Sequence, residues 1–339
     1  MNLSRQCSLS IAIDDRSAIG EARRTSAKVA EAAHFGESRS SDVQLIVTEL
    51  ATNLFVHAKQ GEILLQLLSN GPHSGVEIIA IDHGPGIADL QSCMGDGYSK
   101  AGTRGCGLGA IKRLSNEFDI YSTRPEGTVI VSRIFSQNSP AEAPRLFGAI
   151  NVPLSGERES GDAWQFMRLK NGLAAVVIDG LGHGPLAALA AAEAVNTFND
   201  REFDNPTAYL EAAHNAMRST RGAAIAVAQA DFNRHTLDYA GIGNISGSIF
   251  DRSGAKSRSL VSYEGIVGSK IRKLQQFEYQ WMNGDVLIMH SDGLAERWKL
   301  ANYPGLVQAD VSVIAGVLYR DAKRGSDDAT VFVARLTEN

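Results

Sequence analysis

The sequence predicts an α+β protein built from two domains. Its 339 residues, 44% hydrophobic and 21% charged, suffice for two ordinary hydrophobic cores. A polar stretch with two prolines, residues 136–144, follows a strand pattern and precedes a new apolar segment, as a linker does. The two halves carry their helix and strand patterns in different orders, so we find no internal repeat. We expect one domain at 1–136, a linker at 137–146 and a second domain at 147–339.

The composition argues against several kinds of partner. The net charge is −5 and the charges are interspersed, so no basic block is available to bind a nucleic-acid backbone. No apolar run reaches the roughly 20 residues that span a bilayer, and the N-terminus lacks a secretory signal. Cys7, Cys93 and Cys106 have no metal-ligand spacing. We therefore expect a cytoplasmic protein that binds neither nucleic acid nor membrane.

In the first half, the sequence predicts two helices and four strands. Val43, Ile46, Val47, Leu50 and Leu54 recur at helical spacing, after residues 40–42 (Ser-Ser-Asp), which can cap a helix. Strands are predicted at 63–68, 76–82, 119–122 and 128–135, with a further helix at 108–118.

The second half is richer in strands. It opens with strand patterns at 164–169 and 173–178, followed by an alanine-rich helix at 186–197 and another helix at 207–218. The remaining strands are predicted at 223–230, 236–240, 248–250, 277–281, 286–290 and 330–336.

The predicted first helix carries three polar side chains on one face. Glu49, Asn53 and His57 are spaced i, i+4, i+8 beside the apolar stripe. A carboxylate placed there can accept the proton of a hydroxyl nucleophile, and an amide oxygen can bind Mg²⁺. The alternative for this face is that it lies in solvent. His57 could contact a phosphate, but we expect it to pack against the protein.

Two glycine-rich turns follow this helix. A buried-type strand ends at Asp82, which can accept a hydrogen bond from an exocyclic amine, and Gly84 and Gly86 let backbone approach a ring closely. A second glycine-rich loop, residues 102–109, leads into a helix, whose N-terminus offers N–H groups to phosphates. The three elements in this order indicate an ATP pocket.

These segments resemble the N, G1 and G2 boxes of the GHKL ATPase and kinase superfamily, over about residues 8–135. Residues 96–99 (Asp-Gly-Tyr-Ser) and 112–114 (Lys-Arg-Leu) are most similar to the RsbT-like serine/threonine switch kinases. The resemblance implies a Bergerat-type α/β sandwich, a mixed sheet with helices on one face. It makes Glu49 the general base, Asn53 the Mg²⁺ ligand and Asp82 the adenine anchor. The implied residues for ATP with Mg²⁺ are Asn53, Asp82, Gly84, Gly86, Gly105, Gly107, Leu108, Gly109 and Thr128.

In the second half, acidic residues stand at the ends of buried-type strands. Asp162 precedes one strand, Asp179 and Asp292 each end one, and Asp327-Asp328 precede the last. Carboxylates that converge in this way can hold two divalent metals that activate a water for attack on phosphorus. Hard oxygen ligands favour Mn²⁺ or Mg²⁺ over zinc. Asp-Gly pairs are also ordinary turn formers, which is the alternative for each pair taken alone.

Residues 161–162, 179–184, 291–294 and 327–330 resemble the PPM-type metal-dependent protein phosphatases, in the SpoIIE, RsbU and RsbX branch. The resemblance covers about residues 147–338 and implies an α-β-β-α sandwich with two Mn²⁺ or Mg²⁺ ions. It makes Asp179 and Asp292 catalytic, and leaves Asp328 either as a support or as an alternative ligand. It gives His183 the structural task of orienting the loop before the alanine-rich helix, with general acid as the alternative. The implied metal ligands are Asp162, Asp179, Asp292, Asp327 and the Gly180 carbonyl.

The two resemblances together predict a bifunctional partner-switching regulator. The first domain would phosphorylate a serine or threonine of a small STAS-domain protein similar to anti-sigma antagonists. The second would remove the same or a related phosphate, with an anti-sigma or sigma-type protein downstream. The alternatives are that the first domain only sequesters a partner, or that it senses nucleotide for the phosphatase. The sequence allows a homodimer and leaves the substrate open.

Overall fold

A computed structural model describes residues 7–70, 73–90, 107–136, 146–200 and 203–336. The chain divides into two units, Met1–Pro144 and Arg145–Asn339, which are described separately below. Most of the predicted linker at 137–146 lies outside the described residues, so the domain bounds 1–136 and 147–339 stay predictions. None of the helices in the described ranges is long and apolar enough to cross a bilayer.

The N-terminal unit contains a helix and a strand that the sequence did not reveal. Strand β1 (Leu9–Ile13) leads into helix α1 (Arg16–Ala32), which begins because the Asp15 carboxylate accepts hydrogen bonds from the backbone N–H groups of Ser17 and Ala18. The other elements are α2 (Glu37–Asn53), a π-helix (Leu54–Ala58), β2 (Gly61–Asn70), β3 (His73–Ile81), α3 (Leu108–Leu114), β4 (Glu117–Thr123) and β5 (Gly127–Phe135).

Two predicted helix bounds differ from the structure. Helix α2 begins three residues before the predicted cap, with extended Gly36 at its N-cap, so residues 40–42 lie inside the helix. Helix α3 ends at Leu114 because Ser115 turns to extended backbone, and the chain then enters β4 at Glu117. Residues 117 and 118, predicted as helix, therefore belong to a strand.

The five strands form one sheet in the order β1-β2-β3-β5-β4. Every described pairing is antiparallel, which corrects the mixed sheet that we expected. The crossover through α3 does give β4 the direction of β3, but β5 lies between the two strands, so they never pair. Ile11, Ile63, Ala80 and Ile130 lie side by side on the face that packs against α1, α2 and α3. The α+β class, with helices on one face, is confirmed.

The C-terminal unit begins with β6 (Phe147–Val152), β7 (Asp162–Leu169) and β8 (Gly172–Gly180), followed by helices α4 (Pro185–Asn199) and α5 (Pro206–Ala216). The predicted helix at 207–218 ends in a short 3₁₀ turn (Met217–Ser219). Helix α6 (Val311–Ala322) was not predicted. The remaining strands are β9 (Ala223–Asp231), β10 (Thr236–Ile242), β11 (Ser246–Phe250), β12 (Ser257–Ser259), β13 (Ser262–Tyr263), β14 (Gly265–Ile266), β15 (Lys270–Ile271), β16 (Phe277–Gln280), β17 (Val286–His290) and β18 (Ala329–Arg335).

These elements form two stacked sheets covered by helices. The first sheet has the order β13-β10-β9-β8-β7, with β16 paired to β10, and the second has the order β12-β11-β17-β18-β6. One apolar core fills the space between the sheets, and another lies between the first sheet and helices α4 and α5. Helix α6 packs on β6 and β18 of the second sheet. The α-β-β-α sandwich is therefore confirmed.

Strand β8 is apolar on both faces. Its alternate residues Leu173, Ala175 and Val177 belong to the core between the sheets, and Ala174, Val176 and Ile178 belong to the core under the helices. This pattern is typical of a central strand, and it ends at Asp179, where the candidate metal site begins.

Candidate functional site

In the N-terminal unit, Glu49 and Asn53 lie one turn apart at the end of α2. Glu49 is half-buried, and burial raises the pKa of its carboxyl, as suits a group that must accept a proton near neutrality. Asn53 is the last residue of α2, and the π-helix begins directly after it. Short π segments often mark functional positions. His57, in the π-helix, is exposed, so the expectation that it packs does not hold.

The Asp82 carboxylate is fixed in orientation at the end of β3. Its Oδ1 accepts hydrogen bonds from the backbone N–H of Gly84 (2.7 Å) and of Thr128 (3.2 Å). The backbones of Asp82 and Thr128 also bind each other, with N···O distances of 2.9 and 3.3 Å. The structure therefore brings the predicted adenine anchor together with Thr128, which lies 46 residues further along the chain.

The glycines around Asp82 stand where a side chain would collide with backbone. Gly127 has φ +105°, and a Cβ there would lie 2.1 Å from the Asp82 carbonyl oxygen. Gly86 has φ +68°, and its Cβ would lie 2.5 Å from the Thr123 carbonyl oxygen. A Cβ on Gly84 would meet Ala58 of the π-helix at 2.8 Å, so this turn packs against the segment that follows Asn53. The backbone segments around Asp82 approach this closely only because these positions carry no side chain.

Ser122 of β4 is a further polar residue beside the turn after Asp82. Its Oγ accepts the backbone N–H of Ile87 at 2.8 Å and forms a hydrogen bond with Thr128 Oγ1 at 2.9 Å. Ser122 thus ties the turn after Asp82 to the last strand. No local pattern could identify it, because Ile87 lies 35 residues away in sequence.

The phosphate-loop residues are described only in part. Gly105 lies outside the described residues. Gly107 is the N-cap of α3, and the first-turn N–H groups of Leu108 and Gly109 have no acceptor within the helix. Leu108 is buried in the core that also contains α2, which places the start of α3 beside the helix that carries Glu49 and Asn53.

In the C-terminal unit, both sheets present carboxylates at the same edge. Asp162, the first residue of β7, pairs directly with Asp179 of β8, so the two side chains share the face that looks toward the second sheet. In that second sheet, Asp292 follows the end of β17, and Asp327 and Asp328 precede β18, which pairs with β17. The structure therefore collects all the predicted acidic residues at one end of the sandwich.

Ser291 joins the two sheets at Asp162. The Ser291 hydroxyl donates to Asp162 Oδ2 at 2.6 Å and accepts the backbone N–H of Thr330 at 3.0 Å. All three residues are buried. Burial and the neighbouring Asp179 carboxylate raise the pKa of Asp162 well above its usual range. Asn151 also supports this strand end, because its amide donates to the Asp162 carbonyl at 2.9 Å.

Asp179 lies among like charges. Burial, followed by the carboxylates of Asp292, Asp327 and Asp328, raises the pKa of Asp179 to about 7. Carboxylates that repel one another so strongly are stable together only when protonated or when cations neutralise them. The electrostatics therefore suit a divalent cation site.

The donor set fits hydrated Mg²⁺ or Mn²⁺. Its members are carboxylates and the Gly180 carbonyl, which are hard oxygen ligands. Among the described residues, no three side chains of His, Cys, Asp or Glu are grouped so that they could hold one metal ion. This geometry is compatible with magnesium chemistry, because protein-bound Mg²⁺ usually keeps several waters and takes only one or two carboxylates.

Asn244 is a site residue whose position was not foreseen. Its Nδ2 donates to Asp292 Oδ2 at 2.7 Å, and its side chain also forms a hydrogen bond that lowers the pKa of Asp179. Gly243, with φ +97°, makes the turn that aims Asn244 into the site. The Gly-Ile-Gly-Asn segment at 241–244 was the available signal.

Asp328 and His183 hold loops in place. Asp328 accepts the backbone N–H of Leu154 at 2.7 Å and of Gly161 at 2.8 Å, one with each oxygen, which favours its role as a support over that of a ligand. The exposed His183 ring pairs through Nδ1 with Glu157 at 2.9 Å. This contact agrees with the expectation that His183 orients the loop before α4.

Comparison with known families matches each of the two units of the chain to a different family model. The model of the histidine kinase-like ATPase domain matches residues 13–134, and that of stage II sporulation protein E (SpoIIE) matches residues 170–337.

Two curated relatives come from Bacillus subtilis (strain 168). The chain is 38% identical over 109 residues to the serine/threonine-protein kinase RsbT, a match that covers 32% of this chain and 82% of RsbT. It is 25% identical over 139 residues to the phosphoserine phosphatase RsbX, covering 41% of this chain and 69% of RsbX.

Two solved structures support the fold of the larger part of the chain. One, from work on the bacterial stressosome as a modular system adapted to control secondary messenger signaling, has a TM-score of 0.52 and 28% identity, and the match covers 56% of this chain and 98% of the other. The other, RsbX in complex with magnesium, has a TM-score of 0.50 and 21% identity, with 58% and 98% covered. The likeness to the second shows the fold alone.

Proposed function

We propose that this chain acts as a phosphorylation switch. Through its N-terminal unit it belongs to the RsbT family of serine/threonine kinases, and its C-terminal unit is a PPM-type phosphatase domain. The N-terminal unit transfers phosphate from ATP to a serine or threonine of a small STAS-domain protein. The C-terminal unit removes the same or a related phosphate. A downstream partner of anti-sigma or sigma type then responds to the phosphorylation state. The pairing is supported by the two relatives, a kinase and a phosphatase.

One observation carries the phosphatase half: two separate sheets deliver Asp162, Asp179, Asp292 and Asp327 to one edge. Two Mg²⁺ or Mn²⁺ ions, when bound, ionise a water and neutralise phosphate charge. These four carboxylates and the Gly180 carbonyl would hold the ions. Asn244 keeps Asp292 aimed into the site through their 2.7 Å hydrogen bond.

In the kinase half, the chain's residues position ATP and receive one proton. The Asp82 carboxylate accepts a hydrogen bond from the exocyclic amine of adenine, and the N–H groups at the start of α3 donate hydrogen bonds to the phosphates. The serine or threonine oxygen of the partner attacks the γ-phosphorus, its proton passes to the Glu49 carboxylate, and ADP leaves. Asn53 binds the Mg²⁺ that accompanies ATP. The raised pKa of Glu49 supports its role as the base.

A single-turnover assay with γ-labelled ATP and a STAS-domain protein tests the transfer. We expect the label to appear on the partner, and Glu49→Gln to abolish the transfer while ATP still binds. Asp82→Asn should instead remove ATP binding. Tight ATP binding without transfer in the parent chain would contradict the kinase and leave a sequestering or sensing module.

Hydrolysis of p-nitrophenyl phosphate with Mn²⁺ tests the phosphatase. We expect Asp292→Asn to abolish turnover and to leave ATP binding by the N-terminal unit unchanged. Equal turnover in this variant and the parent chain would refute the metal assignment.

A further inference from the structure

The sheet edge that holds Asp179 and Gly180 continues sideways into a short hairpin. Gly180 pairs with Ala223 of β9, and Ala223 in turn exchanges two hydrogen bonds with Val267, of 3.0 and 2.9 Å. Neighbouring strands lie about 4.8 Å apart, so Val267 is about 10 Å from Gly180. Val267 lies in the connection between β14 and β15, which places this hairpin at the border of the candidate phosphatase site.

This border carries three exposed cations, which we name the basic rim: Arg221, Lys270 and Arg272. Arg221 lies between the site and the hairpin. Its Nη1 is 3.2 Å from the point where a Cβ on Gly182 would stand, and its neighbour Gly222 accepts the backbone N–H of Leu181 at 3.0 Å. The guanidinium therefore covers the loop that directly follows Gly180.

The rim cations are not used to stabilise the fold. Across the described ranges, no carboxylate forms an ion pair with Arg221 or Lys270. Arg272 approaches Glu264 at 3.6 Å, but these side chains are 69% and 91% exposed, so the pair contributes little.

The hairpin itself is firmly attached. The backbone N–H of Gly268 donates to His214 Nδ1 of α5 at 3.0 Å. At its other end, Lys273 Nζ donates to the Tyr263 hydroxyl at 3.0 Å and lies over that ring. Lys270 and Arg272 are thus presented on a fixed support beside the site, which suits recognition of a ligand that extends beyond the phosphate.

We propose that the basic rim selects phosphorylated segments with an acidic side chain about three residues from the phosphoserine or phosphothreonine. The spacing is taken from Gly180 to Val267, where the hairpin that carries Lys270 and Arg272 begins, because about 10 Å corresponds to about three residues of extended chain at 3.3 Å each. The charge of the rim selects an acidic group. This inference rests on the proposed phosphatase function and concerns the substrate of the same site.

Three phosphopeptides of one sequence test the proposal, with glutamate, alanine or lysine three residues to either side of the phosphoserine. The full-length protein with Mn²⁺ should release phosphate from the glutamate peptide with a kcat/KM at least about fivefold above that of the alanine peptide. The lysine peptide should be the poorest. The preference should largely disappear at about 1 M salt, where charges are screened within about 3 Å.

The double variant Lys270→Glu with Arg272→Glu should reverse the order of the peptides. Hydrolysis of p-nitrophenyl phosphate, which does not reach the rim, should stay unchanged. Arg168→Glu with Lys170→Glu is the matched control, since both are exposed cations at the end of the β7–β8 strand pair opposite to Asp162 and Asp179. This control should retain the preference for glutamate.

The outcomes separate this proposal from the one it rests on. If the protein hydrolyses p-nitrophenyl phosphate and hydrolyses the three peptides with equal kcat/KM, the proposal for the basic rim is overturned and the phosphatase assignment stands. Equal loss of preference in Arg168→Glu with Lys170→Glu would also overturn it, since the effect would then belong to net charge. If the protein hydrolyses none of these compounds, the phosphatase assignment is overturned, and the proposal for the basic rim with it.

Discussion

Replacing Asp179 with asparagine should stabilise the metal-free protein while it removes phosphatase turnover. Asp179 lies opposite Asp162 and near the carboxylates of Asp292, Asp327 and Asp328. Asparagine has almost the same shape but no charge, so it relieves the repulsion without leaving a cavity. A metal site is a place where function opposes stability, and this variant measures that opposition directly.

The magnitude follows from the pKa of Asp179, which is raised from 3.8 to about 7 by burial and by its acidic neighbours. A gap of about three pKa units corresponds to about 4 kcal/mol, which is an upper limit because asparagine also loses hydration on burial. The folded state holds this proton more tightly than the unfolded state. Stability is therefore lost as the pH rises from about 4 to about 7, and the advantage of the variant grows over the same window.

Thermal unfolding of the full chain with EDTA is the assay, read on the transition that Mn²⁺ raises in the parent protein. For a unit of this size, Arg145–Asn339, about 1 kcal/mol shifts Tm by 2–4 °C. We expect Tm to rise by at least about 4 °C at pH 8 and to change little at pH 4. Asp200→Asn, at an exposed position after α4, should leave Tm unchanged at both pH values. A lower Tm for Asp179→Asn at pH 8 without metal would refute the reasoning.

Three further substitutions have defined outcomes. Gly127→Ala should weaken ATP binding at least about tenfold, measured by calorimetry, because its Cβ would lie 2.1 Å from the carbonyl oxygen of the predicted adenine anchor at φ +105°. Asn244→Ala should weaken Mn²⁺ binding about 10- to 100-fold, measured by Mn²⁺ titration of turnover, because it removes an amide that positions a metal-site carboxylate. Glu77→Ala should cost about 2 kcal/mol in denaturant unfolding, because Arg133 loses its buried hydrogen bond to Glu77 (2.6 Å, both side chains 2% exposed) and keeps its ion pair with Glu117, at 2.7 Å and 29% exposed.

Two of these predictions have a control variant in the chain. Gly305→Ala places a similar backbone strain at φ +79° in open space and should not affect ATP binding. Glu278→Ala breaks an exposed ion pair with Arg234 and should cost less than about 1 kcal/mol. For Asn244, an unchanged Mn²⁺ dependence would show that its hydrogen bond does not position the site. An equal cost for Glu77→Ala and Glu278→Ala would contradict the argument from burial.

The strands that carry the site were predictable because they show strong local signals. Val286–His290 has the predicted bounds, since four apolar residues and His290 lead directly into Ser-Asp-Gly. Asp162 and Asp179 were recognised in the same way, as acidic residues at the ends of apolar strands. Such strands and turns can be predicted from the residues of one short segment alone.

The elements that were missed lack such a signal. Helix α1 buries mainly alanine and serine, including Ala22 and Ser26, so its apolar stripe is weak. Helix α6 has the opposite property, because eleven of its twelve residues are buried and no polar face marks a period. Ser291 and Asn244 bind partners 129 and 48 residues away, and only the folded topology creates those contacts.

The two apolar faces of β8 have a consequence for the direction in which the Asp179 carboxylate points. Since both faces are buried, a slip by one residue would exchange similar side chains between the two cores, and burial alone would barely oppose it. The slip would, however, turn Asp179 toward the helices. Gly172 and Gly180 prevent it, since a Cβ at these positions would lie 1.8 Å from the Ala230 oxygen and 2.4 Å from the Ala187 oxygen. Gly172 and Gly180 therefore fix the register of β8, and the direction of the Asp179 side chain depends on two residues that carry no side chain.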